Sequence, residues 1–537
     1  MTTDKSTVLR TYFGHSAFRG GQEELIDGIL AGGDVLGVMP TGGGKSICYQ
    51  LPALLLPGVS LVISPLISLM KDQAAALELA GVPAACVNSA MSLEELGIVY
   101  RGINAGKYRL LYVAPERLDN KDFLALISRR QVPLVAVDEA HCISQWGQDF
   151  RPSYLRVAEF IEALPSRPVV AAFTATATER VQEDIIQKLA LKKPLRVVTG
   201  FDRPNLYFAV QNPKKKLPAL LDLLEERRDK SGIIYCATRS KVDQVWDALR
   251  ERGFPATRYH AGLSDEERRQ NQEDFQYDNK TFMVATNAFG MGIDKSNVSF
   301  VIHYNMPKDL ESYYQEAGRA GRDGEPADCV LLFSPGDIRT ARFFIDHSGE
   351  GNEDISTEER QLQRQRDLER LKMMVGYCKT SDCLRGYILQ YFGQPHQERC
   401  DNCGSCRHPR QEVDITAPAQ MILSCVFRVQ RKLEYYVGRT LIVQVLRGAK
   451  NQRVTSLGLD GLTTFGLMKD KEQRTIQDYI DCLETKGYLY TEPDHQTLRP
   501  TPQADAVLFG GEKVTMSVLA PSGPEAVEPK KAAPRED

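Results

Sequence analysis

The stretch VLGVMPTGGGKSICYQLPALLL, residues 35–56, runs from a short apolar strand through a glycine-rich turn into a helix-compatible segment. Glycines at 42, 43 and 44, with Thr41 ahead of them, let successive backbone N–H groups wrap phosphate oxygens. A helix opening at Lys45 adds its partial positive end. Lys45 can then reach the β and γ phosphates, and the Ser46 hydroxyl can hold Mg²⁺. Met39 stands where the strict pattern has its first glycine. A strand feeding a phosphate turn and a helix is the opening unit of a parallel α/β sheet.

The alternation continues outward from this unit. Apolar runs at LVISP (from Leu61), LLYVAP (Leu110), LVAVDEA (Leu134) and VVAAFTATA (Val169) are separated by helix-length amphipathic segments. A second series follows at GIIYCATR (Gly232), TFMVATN (Thr281), VIHYN (Val301) and CVLLF (Cys329). Strands alternating with helices imply parallel sheets covered on both faces. Between the series GFDRPNLYF, from Gly200, carries a turn-like Asp202-Arg203-Pro204-Asn205 and reads as a linker, so two α/β lobes are expected over 1–203 and 204–345. Beyond residue 350 a charged helix takes over, with Leu368, Leu371 and Val375 as a narrow apolar stripe. A cysteine-bearing module over 346–410 is expected next. Residues 411–515 then give helices and a short strand pair around Tyr488-Leu489-Tyr490 and Thr497-Leu498-Arg499, the order of a winged helix, and a tail over 516–537 is expected to be disordered.

A chain of 537 residues is too long for one core. With 42% hydrophobic and 26% charged residues it is neither fibrous nor globally disordered. The formal net charge of −3 decides nothing about nucleic acid, because a basic groove can sit inside a balanced total. No run of membrane-spanning length occurs and MTTDKSTVLR lacks the apolar stretch of a secretory signal, so a cytoplasmic protein without a membrane partner is expected. Most of the twelve cysteines lie singly in apolar stretches as small core residues.

Asp138-Glu139-Ala140-His141 closes the strand LVAV. An aspartate there can bind the Mg²⁺ shell, and the neighbouring glutamate can orient and deprotonate a water. Taken alone, such a pair is also a common helix N-terminal charge pair. In the second series Gln315-Glu316-Ala317-Gly318-Arg319-Ala320-Gly321-Arg322 puts two arginines on one helix face, either a solvated face or a pair aimed at charge developing on a γ-phosphoryl group.

With these residues in place the chain resembles a superfamily 2 helicase, and it resembles the RecQ family across residues 1 to 510. The marks are FRGGQ from Phe18, SPLISLMKDQ from Ser64, YVAPERL from Tyr112, CISQWGQDFRPSY from Cys142, FTATAT from Phe173, YHAGL from Tyr259 and ATNAFGMGIDK from Ala285. The resemblance implies two RecA-like lobes, a helical zinc-binding module and a winged-helix domain. It implies that Gln22 reads an adenine edge and Arg19 pins that base, with His15 where tyrosine is common. Lys45, Ser46, Asp138 and Glu139 take the phosphate, metal and water roles. Arg322 is the arginine finger, Arg319 a phosphate contact, and Gln315 and residues 290–294 couple the lobes. Gln145, Trp146, Phe150 and Arg151 belong to an aromatic-rich loop that senses single-stranded DNA, with His260 of YHAGL beside the strand. Indole and phenyl faces stack on bases without reading sequence. The alternative for Trp146 and Phe150 is that they are core residues.

Cys400, Cys403 and Cys406 form a tight thiolate run, and four thiolates make a closed tetrahedral Zn²⁺ site. Cys383 and Cys378 compete for fourth place; Cys383 falls on the family's CRR-like segment. Iron–sulfur is the other reading of such a quartet. In the winged helix Arg447, Lys450, Arg453, Lys469, Lys471 and Arg474 are either phosphate contacts or solubilising charge, Arg453 and Lys471 being the candidate DNA contacts. The wing around TEPDHQT has no aromatic tip and leaves His495 as the strand-separating candidate. The implied activity is an ATP-dependent DNA helicase moving 3′ to 5′ in recombination, repair and replication restart, with ATP, Mg²⁺ and Zn²⁺ bound. The expected partners are single-stranded and duplex DNA, with single-stranded DNA-binding protein as a further candidate, in the cytoplasm at the nucleoid; the sequence is compatible with a monomer and does not fix the oligomeric state. An ATP-switched annealing or scaffolding protein and an RNA helicase are the alternatives.

Overall fold

The apolar runs pair in parallel, and most are followed by a helix that carries the chain back over a sheet face. The computed structural model describes residues 4–147, 149–290, 295–347, 357–407, 410–492 and 496–519. It forms two units, Met1–Arg407 and His408–Asp537.

In the first unit β1 (Val35–Val38), β2 (Ser60–Ile63), β3 (Ala84–Val87), β4 (Leu110–Val113), β5 (Leu134–Val137), β6 (Val169–Thr174) and β7 (Leu195–Val198) form one sheet, ordered β3-β4-β2-β5-β6-β1-β7. A second parallel sheet contains β8 (Leu206–Gln211), β9 (Ser231–Tyr235), β10 (Ala256–Tyr259), β11 (Phe282–Ala285), β12 (Val298–His303) and β13 (Ala327–Leu332), ordered β10-β11-β9-β12-β13-β8. Interior strands such as β1, β5 and β9 are buried along their whole length. β6 lies between β1 and β5, so the phosphate turn and the Asp-Glu pair leave the same sheet edge two strands apart. That carboxyl edge is where open α/β sheets bind ligands.

The linker is shorter than its sequence suggests, because Leu206–Gln211 pairs with β13 as the edge of the second sheet. The helix Thr357–Lys379 follows. Its apolar face is wider than the stripe read for it: Leu371 is buried, and Met374 and Tyr377 are fully so, while Leu368 and Val375 pack at its margin.

The second unit holds helices Thr416–Leu433, Arg439–Leu446, Gln452–Ser456 and Gln473–Thr485, with the hairpin β15 (Leu489–Thr491) and β16 (Leu498–Pro500). β14 (Arg410–Asp414) pairs antiparallel with β17 (Thr515–Leu519). This corrects the tail: residues 516–519 are strand, because the Pro-, Ala- and Lys-rich composition starts only beyond them and β14 offers an open edge. Within the wing Pro493, Asp494 and His495 lie outside the described residues, as do Gln148, Met291–Asp294 and the rest of the tail. Among the described residues no helix is long and apolar enough to cross a membrane.

Candidate active site and zinc centre

Three neighbouring strand ends build the site. After β1 the turn closes with Gly43 N–H donating to Pro40 O at 2.9 Å, and Gly44 (φ 77°) starts the helix Lys45–Leu55. Residues ahead of β1 brace it. Arg19 Nη1 donates to Gly42 O at 2.7 Å, and Gln22 Nε2 donates to Gly44 O at 3.1 Å. Gln22 Oε1 accepts from Arg19 N–H at 2.7 Å, and Gln22 is only 2% exposed. Both side chains are therefore engaged on the phosphate turn, Gln22 buried beneath it and Arg19 exposed beside it. The nearest acceptors for a buried amide and a guanidinium are these carbonyls.

β5 delivers Asp138, whose N–H donates to Ile63 O at 2.8 Å and whose Oδ1 accepts from Glu139 N–H at 3.0 Å. Tyr154 Oη donates to Asp138 O at 3.0 Å and fixes the turn. Glu139 sits in the left-handed region (φ 47°, ψ 46°), a conformation costing a non-glycine residue about 1–3 kcal/mol and found where surroundings over-determine it. Its Oε2 is 3.3 Å from His141 Nδ1. His141 Nδ1 also lies 2.9 Å from Thr174 Oγ1 at the end of β6; that hydroxyl donates to Thr176 O at 3.2 Å and so accepts from the ring. Burial pushes the Asp138 carboxyl up to about 7, with the Glu139 carboxylate adding to the rise and Lys45 opposing it. Burial works against the Glu139 anion too, but Lys45, His141 and Arg319 outweigh it and hold the carboxyl at about 2. Burial thus leaves Asp138 short of counter-charge, while the cations around Glu139 favour its anion. The Ser46 hydroxyl and Asp138 carboxylate are the hard oxygen donors Mg²⁺ takes.

Arg319 belongs to the second lobe, so the site spans both. The helix Leu310–Ala317, which bears Gln315, ends at the turn carrying Arg319 and Arg322. Arg319 is 6% exposed and closes on Gly290, where a Cβ would stand 2.6 Å from its guanidinium carbon. The stem of Arg322 lies on the phosphate turn: a Cβ on Gly42 would be 3.4 Å from Arg322 Cγ, and the φ of +82° at Gly42 excludes one.

The segment after His141 folds back on it. Gly147 packs so closely that a Cβ would sit 2.2 Å from His141 O. Trp146 is not an open platform. Its ring lies between the guanidiniums of Arg180, 3.0 Å from its centroid, and Arg366, 3.8 Å away, a cation–π sandwich. Arg366 Nη1 donates to Gln145 Oε1 at 3.0 Å and Arg370 Nη2 to Gly147 O at 2.8 Å. Lys188 Nζ stands 5.7 Å over Phe150. Arg151 chelates Asp149 Oδ2 and donates to Pro65 O. For a base to stack on Trp146, one guanidinium must leave. His260 also departs from the expectation of a strand contact: it is 5% exposed, accepts from Gly262 N–H at Nδ1 and donates to Asp243 Oδ1 at 3.1 Å. Arg180, Thr174, Arg203, Arg366 and Arg370 were not singled out from sequence; only FTATAT and the Asp202–Asn205 turn pointed near any of them.

The metal-binding cysteines converge as read. The sulfurs of Cys383, Cys400, Cys403 and Cys406 all lie within 4.8 Å of one another. That fits a tetrahedron of Zn–S bonds of about 2.3 Å, whose S···S edges are about 3.8 Å. Cys383 precedes the helix Leu384–Tyr391 and accepts from Gly386 N–H at 3.3 Å; burial pushes its thiol up and this bond opposes the rise. Cys378 stands apart, buried beside Lys216 and Asp337. In the second unit Arg447, Lys450, Arg453, Lys469, Lys471 and Arg474 are all exposed.

Residues 19–185 match the DEAD/DEAH box helicase family, 215–324 the helicase conserved C-terminal domain, 335–407 the RecQ zinc-binding family and 409–523 the RQC domain. The chain is 46% identical over 484 residues to the ATP-dependent DNA helicase RecQ of Bacillus subtilis (strain 168), covering 90% of this chain and 80% of that protein. It is 40% identical to the RecQ of Pasteurella multocida (strain Pm70), covering 95% of this chain and 79% of that one. Among solved structures, the DEAD-box helicase Mss116 bound to ssRNA and UDP-BeF aligns with a TM-score of 0.55 at 16% identity, over 72% of this chain and 90% of that one, a likeness of fold. With four family matches in order and relatives this similar over most of both chains, the protein belongs to the RecQ family of ATP-dependent DNA helicases, hydrolysing ATP with Mg²⁺ and carrying Zn²⁺.

Proposed function

We propose that the chain is a motor moving 3′ to 5′ along single-stranded DNA. The hydrolytic part of this reading is supported by Glu139, in strained backbone with Lys45 of its own lobe and Arg319 of the other favouring its anion, and the direction is what the RecQ resemblance implies. In this reading Thr41–Gly44 and Lys45 bind the phosphates of ATP, Ser46 and Asp138 hold Mg²⁺, and Glu139 takes a proton from water. As the water oxygen bonds to the γ-phosphorus, the bond to the β,γ-bridging oxygen breaks, leaving ADP and phosphate. Mg²⁺ neutralises phosphate charge. Arg322, with Arg319 beside it, meets the negative charge that spreads over the transferring group. Lobe closure on ATP and reopening on release then move the strand, and each step must exceed about 1.4 kcal/mol of base-pair stacking.

Gln145, Trp146, Phe150 and Arg151 couple the strand to Glu139 through Gly147 and His141. Arg453 and Lys471 of the winged helix hold duplex phosphates. The protein serves recombination, repair and replication restart in the cytoplasm at the nucleoid, where it can meet single-stranded DNA-binding protein. Polarity is tested by displacing a labelled strand from duplexes with a 3′ or a 5′ single-stranded tail on the loading strand. Release from the 3′-tailed duplex alone is expected, and equal or greater release from the 5′-tailed one overturns the direction.

A further inference from the structure

The turn Asp202-Arg203-Pro204-Asn205 joins the lobes, yet it is bonded on three sides. Arg203 Nη1 donates to Thr41 O of the phosphate turn at 3.3 Å and to Gly318 O at 3.4 Å. Its Nη2 donates to Ala320 O at 3.2 Å and Gly321 O at 2.8 Å. One guanidinium therefore holds four carbonyls on two segments: the turn that wraps the phosphates and the turn that carries Arg319 and Arg322. Asn205 Nδ2 adds bonds to Gly321 O and Glu325 O, both at 2.9 Å. From the other side the zinc module fixes the backbone of the same residues. Arg385 Nη1 donates to Arg203 O at 2.6 Å and to Asp202 Oδ1 at 2.7 Å, and its Nη2 donates to Leu206 O at 2.6 Å. Asn402, between two cysteine ligands, donates to Pro204 O at 2.9 Å. Phe201 stacks on Phe392 at 4.1 Å and accepts at its carbonyl from Tyr314 Oη at 2.9 Å.

We propose that Arg203 is a positioning residue for ATP hydrolysis. It sets the arginine turn 318–322 against the phosphate turn, and the zinc module, through Arg385 and Asn402, holds Arg203 where it can do so. A guanidinium suits this task because its planar fork spans several acceptors, whereas an ammonium is a point donor. The inference rests on the placement of Arg322 at the γ-phosphate.

The test is Arg203→Lys, alone and combined with Arg322→Ala, with ATP hydrolysis measured on saturating single-stranded DNA. A misplaced arginine turn is expected to lower kcat by about 10²-fold. KM for ATP is expected to stay within about threefold, and the substitution is expected to change the rate of Arg322→Ala by less than about threefold, since it acts through Arg322. A kcat near that of the unaltered protein, a rise in KM with kcat unchanged, or effects that multiply in the double variant would each overturn it. If Arg322→Ala itself hydrolyses normally, the reading beneath falls and this one with it; if Arg322→Ala is slow and Arg203→Lys normal, only this one falls. Should Arg203→Lys fail to fold, hydrogen exchange on the unaltered protein decides. Exchange over 201–206 and 317–322 is expected to slow together when ADP–beryllium fluoride and single-stranded DNA bind, and slowing at 317–322 alone overturns the proposal.

Discussion

Lys45→Ala is expected to abolish ATP hydrolysis, lowering kcat by about 10³-fold or more, the scale on which removing a preorganised charge from a phosphoryl-transfer site acts. Lys45 is the first residue of the helix behind Gly44 and lies within electrostatic reach of both Asp138 and Glu139. Its loss takes a cation from the phosphates and also from two buried carboxyls, raising both. Glu139 would keep His141 and Arg319, so the base survives better than the phosphate contact. DNA affinity at a fixed salt concentration is expected to stay within about twofold, because the contacts that set it are phosphate-neutralising groups elsewhere. Hydrolysis at the normal rate in this variant would refute the assignment of the nucleotide site.

Loss of the metal is the second large effect. Cys403→Ser is expected to empty the zinc site, taking bound metal from one ion per chain to near zero, and to lower the thermal unfolding midpoint sharply. Structural zinc contributes folding free energy outright, about 10–16 kcal/mol of apparent binding in small zinc modules. Cys403 is fully buried and its backbone bridges to Phe208 of β8, an edge strand whose pairing closes the second lobe. The ligand loop also carries Asn402 against the lobe junction, so damage is expected beyond the module itself. Unchanged zinc content by metal analysis would refute the cluster.

Which parts of the fold are legible in the sequence follows from burial. Every interior strand of both sheets stands out as an apolar run, because a parallel strand covered on both faces has no polar side. The strands that escape notice are β3, β7, β8 and β10, and these are the four sheet edges. β7 has a single buried residue, Val197, and β10 is buried only at Ala256 and Thr257, so neither carries a continuous apolar run. β8 does carry an apolar run, LYFAV, with Leu206, Phe208 and Ala209 buried, but the turn residues directly ahead of it make its start read as linker.

The site divides along a similar line. Lys45, Asp138, Glu139 and the cysteine ligands lie in short local patterns whose chemistry depends on spacing within one turn. The partners of Arg203 and Arg366 lie far away in sequence: Thr41 is 162 positions from Arg203, and Gln145 is 221 from Arg366. Nothing local marks such an arginine as different from one on a solvated helix face. Trp146 shows the converse. Its neighbourhood reads as an aromatic loop, but the two guanidiniums covering the ring come from other elements.

The most direct test of a DNA-driven motor is ATP hydrolysis with Mg²⁺ alone, then with single-stranded DNA, then with single-stranded RNA, at one stated salt concentration. The account predicts strong stimulation by DNA and little by RNA. Equal stimulation by both, or none by either, would contradict it.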